Sequence, residues 1–589
     1  MKQLKKLTMF FGLAFVMQAC KKEEGLSPTS EAMSPSLPAM ASTNSSFNAA
    51  DPFLANTEGF FTNDSWLVGN LNIASANTTA ADSGNSATTV VINPTQVISK
   101  VSRYVFGNNA NANMGSITEP TMIGHVKRLA PRIIRVPGGS FSDTYFWNLA
   151  PDQKPKDVPD QLYDPNGNII PAGGYWYGRN TQTWTCTVDN YYQMLQQTRS
   201  TGVITVNYGY ARYGQGPHPV QTAAHMAADW VRYDNGRTKY WEVGNECFGN
   251  WEAGYMIDVS KNHDGQPKFI TGQLYGQHFR IFADSMRKAA AEIGSTIKIG
   301  AVMIDHQYTG TEEVPNWNQG VLATAGNYPD FYAVHNYYTP YGENSTPTTI
   351  LNSASTVTGD IMNWIKTCVA NAGVTQKPVA LTEWNIFAQG SKQMISNISG
   401  LHSAIVLGEL IKNHYGMACR WDLGNNSSYE SNDMGMLNVK AANTAIDPKY
   451  NPRPAFYYMY FFQKFFGDRM VASSVQGNGN VASYASTFTS GQVGVVLANK
   501  GNTAQTVTVN INNFTPGAQF YFYRLKGGSD DPGFSIKVYI NGFGPTGKEG
   551  GPLNYPYIKP YSAPTSGGIK VTVPAYGAVY AVVSKPGII

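Results

Sequence analysis

Lys239-Tyr240-Trp241-Glu242-Val243-Gly244-Asn245-Glu246 is an apolar, β-prone run that ends in Gly-Asn-Glu. A strand carrying a carboxylate at its C-terminal tip is how a (β/α)8 barrel presents a catalytic acid. Pro378-Val379-Ala380-Leu381-Thr382-Glu383-Trp384-Asn385 repeats the pattern, with an aromatic after the glutamate. Two such carboxylates facing each other across a cleft are the equipment for breaking a glycosidic bond.

Working outward, eight short apolar runs can be counted from about residue 100. They are Val101–Phe106, Ile133–Val136, Val203–Asn207, Tyr240–Gly244, Ile297–Met303, Phe331–Val334, Val379–Thr382 and Met417–Trp421. Segments of helical spacing separate them. Thr222–Tyr233 has apolar residues at Ala224, Ala227, Ala228 and Val231, and Gln277–Ile293 at Phe279, Phe282, Met286 and Ala290. Strand and helix alternating in this way predict an α/β fold with a closed parallel (β/α)8 barrel. Neither a GxGxxG nor a Walker sequence occurs, which argues against nucleotide binding.

Polar residues fall at the C-terminal ends of these runs, where a barrel builds its site. Asn108 and Asn109 follow the first. Arg135 sits in the second, before Pro137-Gly138-Gly139-Ser140. Asn245 and Glu246 end the fourth, and His335, Asn336, Tyr337 and Tyr338 the sixth. Glu383, Trp384 and Asn385 end the seventh, and Trp421 and Asp422 the eighth. A lone Asn-Glu is usually a cap and a lone His-Asn-Tyr a turn. The joint pattern is harder to explain as either.

The motifs resemble those of the clan A retaining glycoside hydrolases, and most closely the family 51 α-L-arabinofuranosidases. Arg135-Val136-Pro137-Gly138-Gly139 is similar to that family's Arg-Tyr-Pro-Gly-Gly, and Trp241-Glu242-Val243-Gly244-Asn245-Glu246 to its Trp-x-Leu-Gly-Asn-Glu. His335-Asn336-Tyr337-Tyr338 matches His-x-Tyr-Tyr, and Thr382-Glu383-Trp384-Asn385 resembles Asp-Glu-Trp-Asn. The resemblance covers roughly residues 100 to 430. It implies Glu246 as acid/base, Glu383 as nucleophile, Asn245 on the sugar's 2-hydroxyl and Tyr337 hydrogen-bonded to the nucleophile. It also implies substrate contacts from Asn108, Arg135, His335, Trp384 and Trp421. The chemistry requires neither metal nor organic cofactor. Charge logic adds that Glu383 should raise the pKa of Glu246, while Tyr337 keeps Glu383 ionised.

Two features depart from the family. Ser140 stands where the family usually has Asn. The loop from Phe141 to Thr185 is long and aromatic, carrying Tyr145, Phe146, Trp147, Tyr163, Tyr175, Trp176, Tyr177 and Trp184. An aromatic loop over a barrel mouth either walls a small pocket or floors a cleft. An endo-acting β-1,4-glucanase or xylanase of the same clan therefore stays open. So does a non-catalytic glycan-binding surface protein, although binding alone needs no paired glutamates.

At 589 residues the chain exceeds one core. Only 14% of residues are charged, 12% are aromatic, and the net charge is +4 without a dense basic patch beyond the N-terminus. That composition suits sugar stacking and argues against nucleic acid. Lys2, Lys5 and Lys6 precede a short apolar stretch from Met9 to Met17. Met17-Gln18-Ala19-Cys20 then resembles a lipobox, which implies cleavage before Cys20 and lipidation of its thiol. Lys21-Lys22-Glu23-Glu24 is similar to the surface-export signals of Bacteroidetes lipoproteins. The expected location is the outer membrane, on the cell-surface or periplasmic side, with the lipid as the chain's membrane contact. Cys186, Cys247, Cys368 and Cys419 show no metal-ligand spacing.

The expected domains are a lipoprotein signal (1–20), a Ser/Thr/Ala/Asn/Pro-rich flexible linker (21–60), N-terminal strands packing on a sandwich (61–100), the barrel (101–465) and a C-terminal β-sandwich (466–589). Alternating runs such as Gly491–Asn499, Thr506–Ile511 and Val579–Val583 carry the last assignment. Gly527–Gly568 reads as a long inserted loop.

Overall fold

The computed structural model of the chain describes residues 51–170, 174–307, 310, 312–425 and 433–587. The lipobox with Cys20 lies outside the described residues. Eight parallel strands close into a barrel in sequence order. They are β1 (Gly107–Asn109), β2 (Ile133–Val136), β3 (Thr201–Val206), β4 (Tyr240–Val243), β5 (Lys298–Val302), β6 (Phe331–Asn336), β7 (Val379–Trp384) and β8 (Met417–Arg420). Seven coincide with apolar runs of the sequence.

The first does not. Arg103–Phe106 is a 3-10 turn, started by Ser102, whose Oγ accepts from the Tyr104 N–H. The strand begins one step later, at Gly107. A Cβ there would lie 2.5 Å from the Ala418 carbonyl oxygen and 2.6 Å from Ile133 Cγ2. Glycine is what lets β1 pass between β8 and β2.

Helices cover the barrel outside, among them Pro219–Asp234, Gly272–Glu292, Pro347–Ala372 and Asn397–Lys412. A short helix, Gly59–Ser65, closes the bottom. Its Phe61 is fully buried, and its ring lies 5.2 Å from those of Tyr240 and Phe331 at the starts of β4 and β6. The expected linker to residue 60 thus runs into structure, and the expected N-terminal strands begin with a helix that belongs to the barrel.

The second layer is an eleven-stranded sheet curled around its own core. Thr88–Lys100 enters it between Arg469–Gln476 and Gln505–Ile511, so the N-terminal segment is woven into the C-terminal domain. Period-two alternation decides how the layers join. In Val493–Asn499 and Gly577–Val583, Val495, Leu497, Val579 and Ala581 fill the sandwich core. Val496, Ala498, Ala578 and Tyr580 face the barrel's core cluster. Both strands are therefore buried on both faces. The stretch 527–568 is more ordered than a loop: it contains a strand at Val538–Ile540 and another at Tyr561–Pro564.

Candidate active site

The β4 strand ends in two residues with left-handed backbone, Gly244 (φ 80°) and Glu246 (φ 42°). A Cβ at Gly244 would stand 2.4 Å from Cys247 Sγ, so only glycine fits the turn. The positive φ at Glu246 is a strained conformation for a side-chain-bearing residue, of the kind found at functional sites. It is held from outside: buried Asp143 accepts from the backbone N–H groups of Tyr208, Gly209 and Asn245. Burial pushes the Asp143 carboxyl up to about 7.

Glu246 and Glu383 come from β4 and β7 and meet over the barrel axis. A carboxylate oxygen of each and a ring nitrogen of His335 all lie within 4.8 Å of one another. Arg135, fully buried on β2, organises the space below. Its Nη1 donates to Glu383 Oε2 (3.1 Å) and to Asn109 Oδ1 (3.2 Å), its Nε to Glu242 Oε2 (2.7 Å) and its Nη2 to Asn245 Oδ1 (2.9 Å). Tyr337 Oη donates to Glu383 Oε1 at 2.5 Å. Glu246 has other partners: His335 Nδ1 at 2.9 Å and the Trp251 indole N–H at 3.0 Å. His335 Nε2 faces Thr382 Oγ1 at 3.2 Å. The three-group cluster has a spacing a cation would accept, but the Arg135 guanidinium already supplies positive charge within it.

The charge order in the unliganded site differs from the sequence expectation. Burial, with the charge of Glu246, pushes Glu383 up despite His335, Arg135 and Tyr337. Burial also acts on Glu246, but the His335 hydrogen bond and charge, with help from Trp251, outweigh it and bring Glu246 down. Arg135 and Tyr337 are the donors that favour the ionised form of Glu383.

Not every expected residue reaches the site. Side chains alternate along a strand. Asn109, not Asn108, turns into the barrel, where its Nδ2 donates to the carbonyls of Thr382 and Cys419. Asn108 is buried against its own strand, with Nδ2 3.5 Å from the Phe106 carbonyl. Trp384, next to Glu383, is likewise fully buried and packs edge-on to Tyr338. Neither Asn108 nor Trp384 has a hydrogen bond to Glu246, Glu383 or Arg135 among the described contacts. The Trp421 ring lies against the turn after β2, so closely that a Cβ at Gly138 or Gly139 would come within 2.8 and 2.9 Å of it.

The aromatic loop mostly packs on the barrel. Trp147 stacks on Trp230, 5.6 Å between centroids, and donates to the Met226 carbonyl. Tyr145 and Phe146 are buried with it, whereas Tyr163 and Trp184 are about half exposed. Sequence reading missed Glu242, Trp251 and Glu252. Glu242 had a signal, a lone charge inside an apolar strand. Trp251 and Glu252 sit in an irregular loop whose path no spacing foretells.

No family model matches the chain. An intracellular exo-α-(1→5)-L-arabinofuranosidase of Acetivibrio thermocellus is 24% identical over 46% of this chain. The chain spans about half (49%) of that curated relative's length. Among solved structures, the GH51 α-L-arabinofuranosidase of Thermotoga petrophila superposes with a TM-score of 0.60 at 17% identity, covering 84% of this chain and 100% of that one. A bifunctional glucanase-xylanase from a metagenome library gives 0.52 at 14% identity, over 85% and 100%. The chain thus has the fold of the family 51 arabinofuranosidases, a parallel eight-stranded barrel joined to a β-sandwich.

Proposed function

We propose that the protein is a retaining glycoside hydrolase, an α-L-arabinofuranosidase acting on plant-type polysaccharide or its oligosaccharides. The observation that carries this reading is the meeting of Glu246 and Glu383, with oxygens within 4.8 Å, each held by different donors. Retaining enzymes need their carboxyl groups about 5–5.5 Å apart, too close for a water between acid and opposite face.

Glu383 Oε attacks the anomeric carbon as Glu246 delivers its proton to the leaving oxygen. The product is a glycosyl ester on Glu383 and a free alcohol. Esterification removes the negative charge of Glu383, so Glu246, now ionised, is the base that takes a proton from water. That water attacks the same carbon and returns Glu383 as a carboxylate. Arg135 and Tyr337 hold Glu383 aligned throughout. Asn245, clamped by Arg135, meets the 2-hydroxyl, a contact that counts most as oxocarbenium character develops.

A second reading, endo action on a β-glucan or xylan, is favoured by one feature. Tyr337 stacks on Phe387 (4.2 Å), which meets Tyr341 edge-on (4.9 Å), and Tyr341 is 79% exposed. An aromatic row leading outward from the nucleophile fits a longer glycan. Aryl glycosides and plant polysaccharides, tried with wild type and Glu383→Gln, separate the two. Release from the α-L-arabinofuranoside, lost in the variant, supports the first. Oligosaccharides cut from β-glucan or xylan support the second. Glycan binding without turnover sinks both.

The proposal extends to location: an outer-membrane lipoprotein held through Cys20. Metabolic labelling with a fatty acid should mark the wild type, and Cys20→Ala should abolish the label. Labelling of the Ala variant would overturn it.

A further inference from the structure

Besides Glu246 and Glu383, two further buried carboxyl groups, Asp143 and Glu252, bond Asn245 at the end of β4. Glu252 is fully buried. Its Oε1 accepts from Ser140 Oγ at 2.7 Å and from Asn245 Nδ2 at 3.0 Å. Its Oε2 is buried and has no hydrogen-bond partner among the described residues. With both donors on Oε1, a proton on this group would sit on Oε2, and the neutral acid would leave only a bare hydroxyl there. An ionised group with a bare buried oxygen would carry its full desolvation cost. Burial, with the charges of Asp143 and Glu246, pushes Glu252 well above the carboxylate range, against the Ser140 and Asn245 donors.

The Asn245 carboxamide has one orientation. Arg135 Nη2 is a donor, so the amide oxygen must face it, which turns Nδ2 toward Glu252. One Nδ2 hydrogen is used on Glu252 and the other is left for a ligand. Ser140, directly after Gly138-Gly139, donates to the same Glu252 oxygen as Asn245 does. Its hydroxyl is too short to replace a carboxamide, but Ser140 and Glu252 together span the distance to Asn245.

We propose that Glu252 is a positioning residue: anchored by Ser140, it fixes the Asn245 carboxamide against the sugar hydroxyl beside the reacting carbon, and so makes turnover depend on that hydroxyl. This rests on the glycosidase reading. Glu252 does not touch the reacting atoms; it acts through Asn245.

The test compares kcat/KM for an aryl α-L-arabinofuranoside and its 2-deoxy analogue in wild type, Glu252→Leu and Glu252→Gln. Leu removes the acceptor at similar size. It should slow the hydroxyl-bearing substrate about 10- to 100-fold, mainly in kcat, and the deoxy analogue far less. Gln keeps an acceptor for Ser140 and Asn245 and a donor in place of Oε2–H, and should recover most of the loss. An infrared difference spectrum of the unliganded wild type against Glu252→Gln at neutral pH should show the loss of one protonated-carboxyl band. Equal losses on both substrates, no recovery with Gln, or no lost band would overturn the proposal while leaving the glycosidase reading intact. A wild type inactive on every aryl glycoside would instead remove the reading beneath it.

Discussion

At the scale of single residues, the site separates its two glutamates by their partners. Glu383 takes its donors from Arg135 and Tyr337, both bound to remain donors at neutral pH, whereas Glu246 is paired with His335 Nδ1 and the Trp251 indole. Three predictions follow from this asymmetry. Glu246→Ala should lower activity most for poor leaving groups, by about 10²- to 10⁴-fold as expected for a lost general acid, with azide restoring turnover of activated substrates. Glu383→Ala should abolish turnover for all leaving groups, and near-normal rates with it would exclude Glu383 as nucleophile. The third prediction concerns pH. Glu246 must be protonated for the first step, and His335 is what brings it down. In His335→Ala that pull is gone, the Glu246 pKa rises, and the protonated form persists further into alkali. The alkaline limb of kcat/KM should therefore move to higher pH; an unmoved or lowered limb would mean that another group sets it.

At the scale of elements, strand ends and one plug determine what the site can be. The glutamates lie at the C-terminal ends of β4 and β7 because the barrel places every such end on one face. The opposite face is closed by Gly59–Ser65, whose Phe61 also sits so near Gly416 that a Cβ there would lie 2.6 Å from its ring. Phe61→Ala opens a cavity that this rigid surround cannot fill. It should cost about 3–5 kcal/mol in denaturant unfolding. Because the plug is at the far end from Glu246 and Glu383, kcat of the folded variant should stay close to wild type. A loss of activity without a loss of stability would contradict that division.

At the scale of the whole molecule, barrel and sandwich are not separable pieces. Thr88–Lys100 precedes the barrel in sequence yet pairs with Arg469–Gln476 and Gln505–Ile511 beyond it. Tyr580 Oη donates to the Tyr458 carbonyl, and the Gly577–Val583 strand is buried on both faces. A chain ending at residue 465 would leave Thr88–Lys100 without its sheet and expose the barrel-side surface that Val496 and Tyr580 cover. Such a truncation should be insoluble or aggregate on refolding, measured by the soluble fraction and by light scattering. A soluble, active fragment 51–465 would show instead that the sandwich is dispensable.

Local pattern determined much of this protein. Apolar runs at regular intervals mark seven of the eight barrel strands, since a strand buried on both faces must be apolar wherever it lies. The Gly-Asn-Glu and Thr-Glu-Trp ends were legible for the same reason: an ionisable residue at the edge of an apolar run breaks its own pattern. Tertiary structure alone decided which neighbour faces inward. Asn109 rather than Asn108 meets Arg135, and Trp384 turns away from the cleft that Glu383 enters, because pleat and register, not residue type, assign the faces. It also decided that the helix at Gly59–Ser65 plugs the barrel, and that Trp251 and Glu252 return to the site from an irregular loop. Those contacts join residues whose positions depend on the folding of everything between them, and no periodicity encodes such a meeting.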